Sequence, residues 1–386
     1  MKLTTLFKDF FESEKSSGLI LLICTAVSLL LANSSFQENY FSLLHVSFLG
    51  NTLTHWVNEG LMSIFFLLIG LELERELYNG ELSNKKNALL PFIGALGGMI
   101  VPALIYLLFT YNTNLQKGVG IPMATDIAFA LAILSLLGNR IPAALKIFLA
   151  ALAVIDDIGA ILIIAIFYST NLSWFYLLLV LVIWAFLFVL NRLKVYNFIP
   201  YVVGGVAMWY CMLHAGVHAS ITGIIMAFVI PFGNGEPTSL SYKMQKYLHK
   251  PVAFFILPLF ALVNTVIIIP SNPFQVFTEK YALGILFGLV LGKAIGIFSF
   301  CFFAIKLGIC ALPKELKYVQ LAGVSFLGGI GFTMSVFITM LAFNDEMIIN
   351  NAKLVIIISS LLAGSFGFVV LKFAIKKSPR KGRIKS

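Results

Sequence analysis

Ala143-Ala-Leu-Lys-Ile-Phe-Leu-Ala-Ala-Leu-Ala-Val-Ile-Asp-Asp-Ile-Gly-Ala-Ile-Leu-Ile-Ile-Ala-Ile-Phe-Tyr168 runs for 26 residues with only three charged side chains. A helix needs about 20 mostly apolar residues to cross the hydrocarbon core of a bilayer, which is about 30 Å thick. This stretch is long enough. Two adjacent carboxylates, Asp156 and Asp157, nevertheless stand well inside it. It reads as a membrane span that carries acid at depth. Such a group is costly there, and by default it points to function.

The rest of the chain repeats the apolar pattern. Of its 386 residues, 60% are hydrophobic and 11% charged, against roughly 25% charged in a soluble domain. A soluble enzyme, a disordered chain and an ordinary nucleic-acid binder are thereby excluded. Apolar runs lie near 16–32, 56–78, 88–110, 115–137, 143–168, 174–191, 198–212, 216–231, 245–269, 282–305, 319–343 and 350–375. They predict an all-α polytopic membrane protein of twelve transmembrane helices. The seventh and eighth runs are short, with a tight break from His214 to His218. A signal peptide is the alternative reading of the first run, but no small-x-small site follows Leu31. No stretch is left for a soluble domain, so residues 1–386 form a single transmembrane unit with a short basic tail at 376–386.

Lys and Arg outnumber Asp and Glu, 27 to 17. In a membrane protein that excess belongs to cytoplasmic loops and implies no nucleic acid. With the N-terminus inside and twelve crossings, 23 of the 27 basic residues fall on the cytoplasmic side. Only Lys117 and Lys280 fall in outside loops; Lys353 starts the last span and Lys293 lies within the tenth. The asymmetry predicts two cytoplasmic termini. Cys24, Cys211, Cys301 and Cys310 form no CxxC pair, so no thiolate metal site is expected. The outside stretch Leu44–Leu53 alternates around Gly50-Asn51. It reads equally as a small β-hairpin or a plain loop. A hairpin edge there would offer a contact to a second copy.

Two more buried charges join the acid pair. Asp126 lies in Pro122-Met-Ala-Thr-Asp-Ile-Ala-Phe-Ala, and Lys293 in Leu-Val-Leu-Gly-Lys-Ala-Ile-Gly. Adjacent helical residues point about 100° apart. One carboxylate of the 156–157 pair can therefore face a cavity while the other faces a neighbouring helix. Lys293 is the natural partner for one of them. Such a site titrates as a coupled unit, and its oxygens suit either protons or a hard cation such as Na+. The competing reading is that the charges only neutralise one another. Three Asp against one Lys leave an excess of negative charge, which calls for a mobile positive partner.

Two spans look broken. Gly118, Gly120 and Pro122 precede Thr125 and Asp126, and Gly328-Gly-Ile-Gly-Phe-Thr-Met-Ser interrupts the eleventh span. Glycine and proline weaken a helix and free backbone groups. The breaks occupy the middle spans of two three-span units, about 88–168 and 282–375, and paired interruptions point to a transporter site at the midplane. Half-helices meeting there expose opposed dipole ends. Asp126 would compensate the N-terminal ends and Lys293 the C-terminal ends. Close helix packing is the alternative use of the glycines in the eleventh span. Glu72, at the inner end of the second span, reads equally as the lining of a funnel for the incoming cation or as a solvated helix end. Glu59, near the outer end of that span, is similarly ambiguous.

Phe-Phe-Leu-Leu-Ile-Gly-Leu-Glu at 65–72, Gly-Gly-Met-Ile-Val-Pro-Ala-Leu at 97–104, Ala-Thr-Asp-Ile-Ala-Phe-Ala-Leu at 124–131 and Ala-Leu-Lys-Ile-Phe-Leu at 144–149 are long, specific motifs. Ile-Asp-Asp-Ile-Gly-Ala at 155–160, Gly-Val-His-Ala at 216–219, Leu-Pro-Leu-Phe-Ala at 257–261 and Gly-Ile-Gly-Phe-Thr-Met-Ser at 329–335 extend them over nearly the whole chain. In these the sequence resembles the NhaA family of bacterial sodium/proton antiporters. The rule for paired broken spans was itself drawn partly from this family. The resemblance implies twelve spans, inverted repeats and two crossed discontinuous helices, spans 4 and 11. It implies a homodimer joined through the outer hairpin near 44–53, in the bacterial inner membrane. It also implies electrogenic exchange of cytoplasmic Na+ or Li+ for protons, two H+ per Na+, activated at alkaline pH. No cofactor and no enzymatic reaction are implied.

By matching motifs, Asp157 is the main cation and proton carrier. Asp156 is its neighbour in the Na+ site and the partner of Lys293. Asp126, Thr125 and Thr333 stand at the crossing, and His218 matches a position linked to pH sensing. Histidine is suited to titrate near neutrality, although a hydrogen-bonded packing role suits His218 equally. The chain departs from the family at Ala294, where a proline is familiar, and at Glu74, where a basic residue is expected. Gln245 and Lys246 replace an acid and a histidine tied to the pH response, so the pH threshold is open. Rival readings are a sodium-coupled solute symporter, which needs a larger polar cavity, and an intramembrane aspartyl protease, which needs two facing Asp. A membrane scaffold has no use for the buried charges.

Overall fold

The computed structural model describes residues 5–48, 50–80, 83, 85–138, 141–167, 172–233 and 235–376. Most of the basic tail, residues 377–386, lies outside them, as do Lys2 and Arg140. Among the described residues, eight helices are long and apolar enough to cross a membrane, and there are up to eleven spans if each bent helix pair counts as one. Large apolar side chains face outward along them. In Trp174–Arg192 these include Leu178, Leu181, Val182 and Phe186. An apolar exterior of this extent requires lipid as its solvent.

The eighth expected span differs most from its sequence reading. Gly216 takes a left-handed conformation (φ 77°) and ends the Phe198–Ala215 helix. After it come only a 3-10 turn, Ala219–Ile221, and a short helix, Thr222–Ala227. Alone they are too short to cross the hydrocarbon core. The short helix instead packs closely on Leu53–Tyr78, where Gly223 lies against the backbone of Ser63 and Leu67. The first long helix, Thr5–Ala32, is followed by Gln37–Leu44, which turns away by 117°. Beyond it, Ser47–Phe48 and Asn51–Thr52 pair antiparallel, with Gly50 at φ 85° in the turn between them.

Two triplets of elements pack together and frame the interior. One comprises Lys85–Phe109, the broken stretch Asn114–Leu136 and Ala143–Phe167; the other comprises Lys280–Lys306, the broken stretch Tyr318–Ala342 and Glu346–Lys376. Their tightest seam lies between Lys85–Phe109 and Lys293–Lys306, where Gly97 and Gly296 bring the two backbones into contact. Small residues permit this approach, and close packing is a main source of helix association in lipid. The seam matters because Lys293 stands one turn before Gly296. A cavity of about 1210 Å³ opens elsewhere, lined by Trp56, Gly60, Tyr201, Trp209, Met226 and Tyr247 among others. Its walls are apolar and include none of the buried charges.

A Cβ on Gly296 would strike the Gly97 carbonyl, a clash that no side-chain rotation relieves. Gly205, in contrast, would meet only the Met226 side chain at 3.4 Å. Gly296→Ala is therefore expected to destabilise the protein by about 1–3 kcal/mol, while Gly205→Ala is neutral or gains about 0.5–1 kcal/mol from helix propensity. Thermal midpoints of both variants in detergent check this ordering.

Candidate functional site

The first broken segment is a 3-10 helix, Asn114–Met123, an extended link at Ala124–Asp126, and the helix Ile127–Leu136; the two helical parts are bent by 41°. The second is Tyr318–Leu327, the link Gly328–Gly331, and Phe332–Ala342, bent by 44°. Breaking a helix at membrane depth frees N–H and C=O groups that lipid cannot satisfy. Here the two links satisfy each other. The Asp126 N–H donates to the Ile330 carbonyl at 2.6 Å. The Thr125 hydroxyl lies 2.8 Å from the Gly328 carbonyl, and the Ser335 hydroxyl donates to the Ile121 carbonyl at 2.7 Å.

Asp126 joins the starts of two half-helices. One carboxylate oxygen, Oδ1, accepts from the Phe129 N–H at 3.0 Å and caps Ile127–Leu136. The other, Oδ2, accepts from the Thr333 N–H at 3.0 Å and from the Thr333 hydroxyl, at the first turn of Phe332–Ala342. Each helix start carries partial positive charge, so one anion serves both. Asp126 and Thr333 are thus in contact, with Thr125 next to Asp126 in the same link.

Asp156 and Lys293 are completely buried and paired: Asp156 Oδ2 accepts from Lys293 Nζ. Lys293 Nζ also donates to Thr125 Oγ1 at 2.9 Å. The Thr125 hydroxyl lies 2.8 Å from Asp156 Oδ2 and 2.8 Å from the Gly328 carbonyl. It has one proton, so it donates to only one of the two at a time. Lys293 follows a π-helical turn, Gly288–Gly292, a local widening of the helix common at functional positions.

Asp157 is equally buried, at 1% exposure, but Lys293 does not bond it. Its Oδ1, like Asp156 Oδ1, has no hydrogen-bond partner among the described residues. The charges of Asp156, Asp126, Lys293 and Glu72 all act on it. The arrangement is asymmetric: each carboxylate keeps an oxygen unused, but only Asp156 holds the lysine.

Two further clusters lie along Leu53–Tyr78. Glu72 and Glu74 are both 5% exposed, so neither is a solvated helix end. Gln245 and His249 of the helix Leu240–Pro251 approach Glu72, His249 Nδ1 at 4.0 Å, and Ser241 approaches Glu74. Arg75 pairs instead with Glu76 at 3.2 Å. Toward the other end, His218 Nδ1 lies 3.2 Å from Glu59 Oε1, and the Ser220 N–H donates to Glu59 Oε2 at 3.3 Å. Sequence reasoning left both His249 and the Glu59–His218 pairing unassigned. A polar face on Leu240–Pro251 was the signal for the first. The second joins residues 159 apart and had no local signal.

A polytopic membrane protein with two broken segments and a buried carboxylate–lysine centre is thereby defined. The chain belongs to the Na+/H+ antiporter 1 family, whose model matches residues 8–371. It is 61% identical over 378 residues to the Na(+)/H(+) antiporter NhaA of Flavobacterium psychrophilum, covering 98% of each chain. Na(+)/H(+) antiporter NhaA 1 of Flavobacterium johnsoniae is 58% identical over 375 residues, covering 97% of this chain and 98% of its own. Na(+)/H(+) antiporter NhaA of Vibrio parahaemolyticus is 45% identical over 375 residues, covering 96% and 98%.

The geometry separates scaffold from exchangeable groups. Asp126→Ala removes caps from two helices at once and is expected to cost about 2–5 kcal/mol. Asp157→Asn deletes a buried carboxylate with few bonds to lose and is expected to be neutral or stabilising. Melting temperatures at neutral pH without Na+ should therefore rank Asp157→Asn at or above wild type, and Asp126→Ala well below it.

Proposed function

We propose that this protein is an electrogenic Na+(Li+)/H+ antiporter that exports cytoplasmic sodium in exchange for protons, two H+ per Na+, in sodium and pH homeostasis. It works from the bacterial inner membrane with both termini cytoplasmic. Its spans form inverted repeats whose broken helices, spans 4 and 11, cross at Asp126, Thr125 and Thr333. Two copies join through the hairpin near 44–53. The resemblance over nearly the whole chain and the named relatives support this reading. The observation that carries it is the asymmetry between Asp156, held by Lys293, and the equally buried Asp157, which Lys293 does not bond.

The chemistry follows from that asymmetry. Asp157 carries a proton into the site from the outer side. A cytoplasmic Na+ takes the Asp157 oxygens as that proton leaves. The cation also repels the Lys293 ammonium and competes with it for Asp156. Lys293 then gives up the second proton. Na+ and H+ use the same oxygens, so occupancy by one excludes the other, and this exclusion couples the two flows. Two charges enter for each one that leaves, so the membrane potential drives the cycle. Asp126 stays bound to the helix starts and takes no part in the carriage.

Glu72 lines the funnel through which cytoplasmic cations arrive. With His249 beside it, it belongs to the pH response. His218, paired with Glu59, contributes to that response from the outer side. Gln245 and Lys246 remove two of the family's titrating groups, so the activation profile is flatter or set at lower pH. A solute symporter would need a roomy polar cavity. The cavity described above is apolar and suits lipid or protein, and no solute cofactor is invoked.

Inside-out vesicles with a preset pH gradient test the proposal. Adding Na+ or Li+ should collapse the gradient across pH 6.5 to 8.5, K+ should not, and Asp157→Asn should abolish the collapse. A gradient that survives Na+ at every pH, in protein shown to be folded and inserted, would remove the antiport reading.

A further inference from the structure

We propose that Ser335 is a positioning residue for the cation site, acting through a hydroxyl tie between the two broken segments. The inference rests on the antiport reading and extends it. Buried hydroxyls in this protein mostly bond within their own helix. Thr25, Thr110, Thr265, Ser325, Thr339 and Ser359 each donate to the carbonyl four residues earlier. That habit adds little to tertiary structure. Ser335 breaks it. Its helical acceptor would be the Gly331 carbonyl, which receives the Ser335 N–H but not its hydroxyl. The Ser335 hydroxyl instead crosses to the Ile121 carbonyl at 2.7 Å, a residue 214 positions away.

The acceptor is well placed to transmit the effect. Ile121 lies in the last turn of Asn114–Met123, where carbonyls run short of helical donors. Four residues after Ile121 comes Thr125, whose hydroxyl touches both Asp156 and Lys293. The Ser335 tie thus fixes the approach to the extended link, and Asp126 with Thr125 fixes its far side. A complementary bond closes the pattern: Thr125, in the first break, reaches the Gly328 carbonyl in the second. Each broken segment sends one hydroxyl to a carbonyl of the other.

Gly331 makes the tie sterically exact in a checkable way. A Cβ there would meet the Ser335 hydroxyl itself. Ser335 is fully buried, so no water substitutes for the lost donor from bulk. Losing the tie should let the link wander while leaving both half-helices formed. The carriers Asp157 and Asp156 are untouched, so the defect should appear in cation affinity rather than in capacity.

The test is Na+ binding to purified full-length protein by calorimetry, together with half-saturating Na+ for exchange in vesicles. Ser335→Ala should weaken both by about fivefold, the size of one hydrogen bond, with maximal rate changed less. Ser335→Thr, which keeps the hydroxyl, should restore both. Ser359→Ala, an equally buried hydroxyl bonded within its own helix, should leave both unchanged. If Ser335→Ala fails to insert, Ser335→Cys, a weak donor of similar size, should show an intermediate shift. Wild-type affinity in Ser335→Ala or Ser335→Cys, or no recovery in Ser335→Thr, would overturn the proposal. Normal Na+ binding by wild type without exchange would instead overturn the antiport reading, and the binding series would still judge Ser335.

Discussion

Asp126 accepts hydrogen bonds from the first turns of two half-helices, and the rest of the centre is arranged around that double cap. A bilayer offers no water to a severed helix, so every freed N–H and C=O must find protein. In this protein the partners come from the opposite break. Asp126 N–H meets the Ile330 carbonyl, Thr125 faces Gly328, and Ser335 reaches Ile121. The two interruptions are therefore stable only as a pair. Their shared anion offsets the positive ends of both helices, which would otherwise repel a cation at the same depth.

That division of labour leaves the neighbouring charges free for another role. Asp156 is engaged by Lys293 and Thr125 through one oxygen, and both Asp156 and Asp157 retain an oxygen with no donor. A wholly structural cluster would saturate its carboxylates, because unpaired buried polar atoms are costly. One unsaturated oxygen lies on Asp156, the acid that Lys293 bonds, and another on the adjacent Asp157. A proton or a cation arriving there changes the balance at both. The seam at Gly97 and Gly296 holds Lys293 against the rest of the site, so packing far from the carboxylates sets the geometry of the competition.

Much of this was legible in the sequence because membranes impose simple rules. Apolar runs of about 20 residues gave the spans, and Gly118, Gly120, Pro122 and Gly328 to Gly331 marked the breaks. Asp126, Asp156, Asp157 and Lys293 stood out by charge alone, and the structure brings them into one centre. The eighth span was less readable. Its composition is apolar enough, but Gly216 and His218 deliver a helix of a few residues, and Gly223 draws it onto Leu53–Tyr78 instead. The ties from Ser335 to Ile121 and from Glu59 to His218 join distant positions with no periodic or charge signature. Glu72 read equally as a funnel lining or a solvated helix end; the structure buries it, with Arg75 turned to Glu76 and Leu240–Pro251 lying over Glu72.

The central claim is that sodium and protons compete for the same oxygens. Its most direct test is proton release on Na+ binding to purified protein, read with a pH indicator in weak buffer. The account predicts that about two protons leave for each Na+ bound, one of them lost in Asp157→Asn. Sodium binding of ordinary affinity with no proton release at any pH would contradict it.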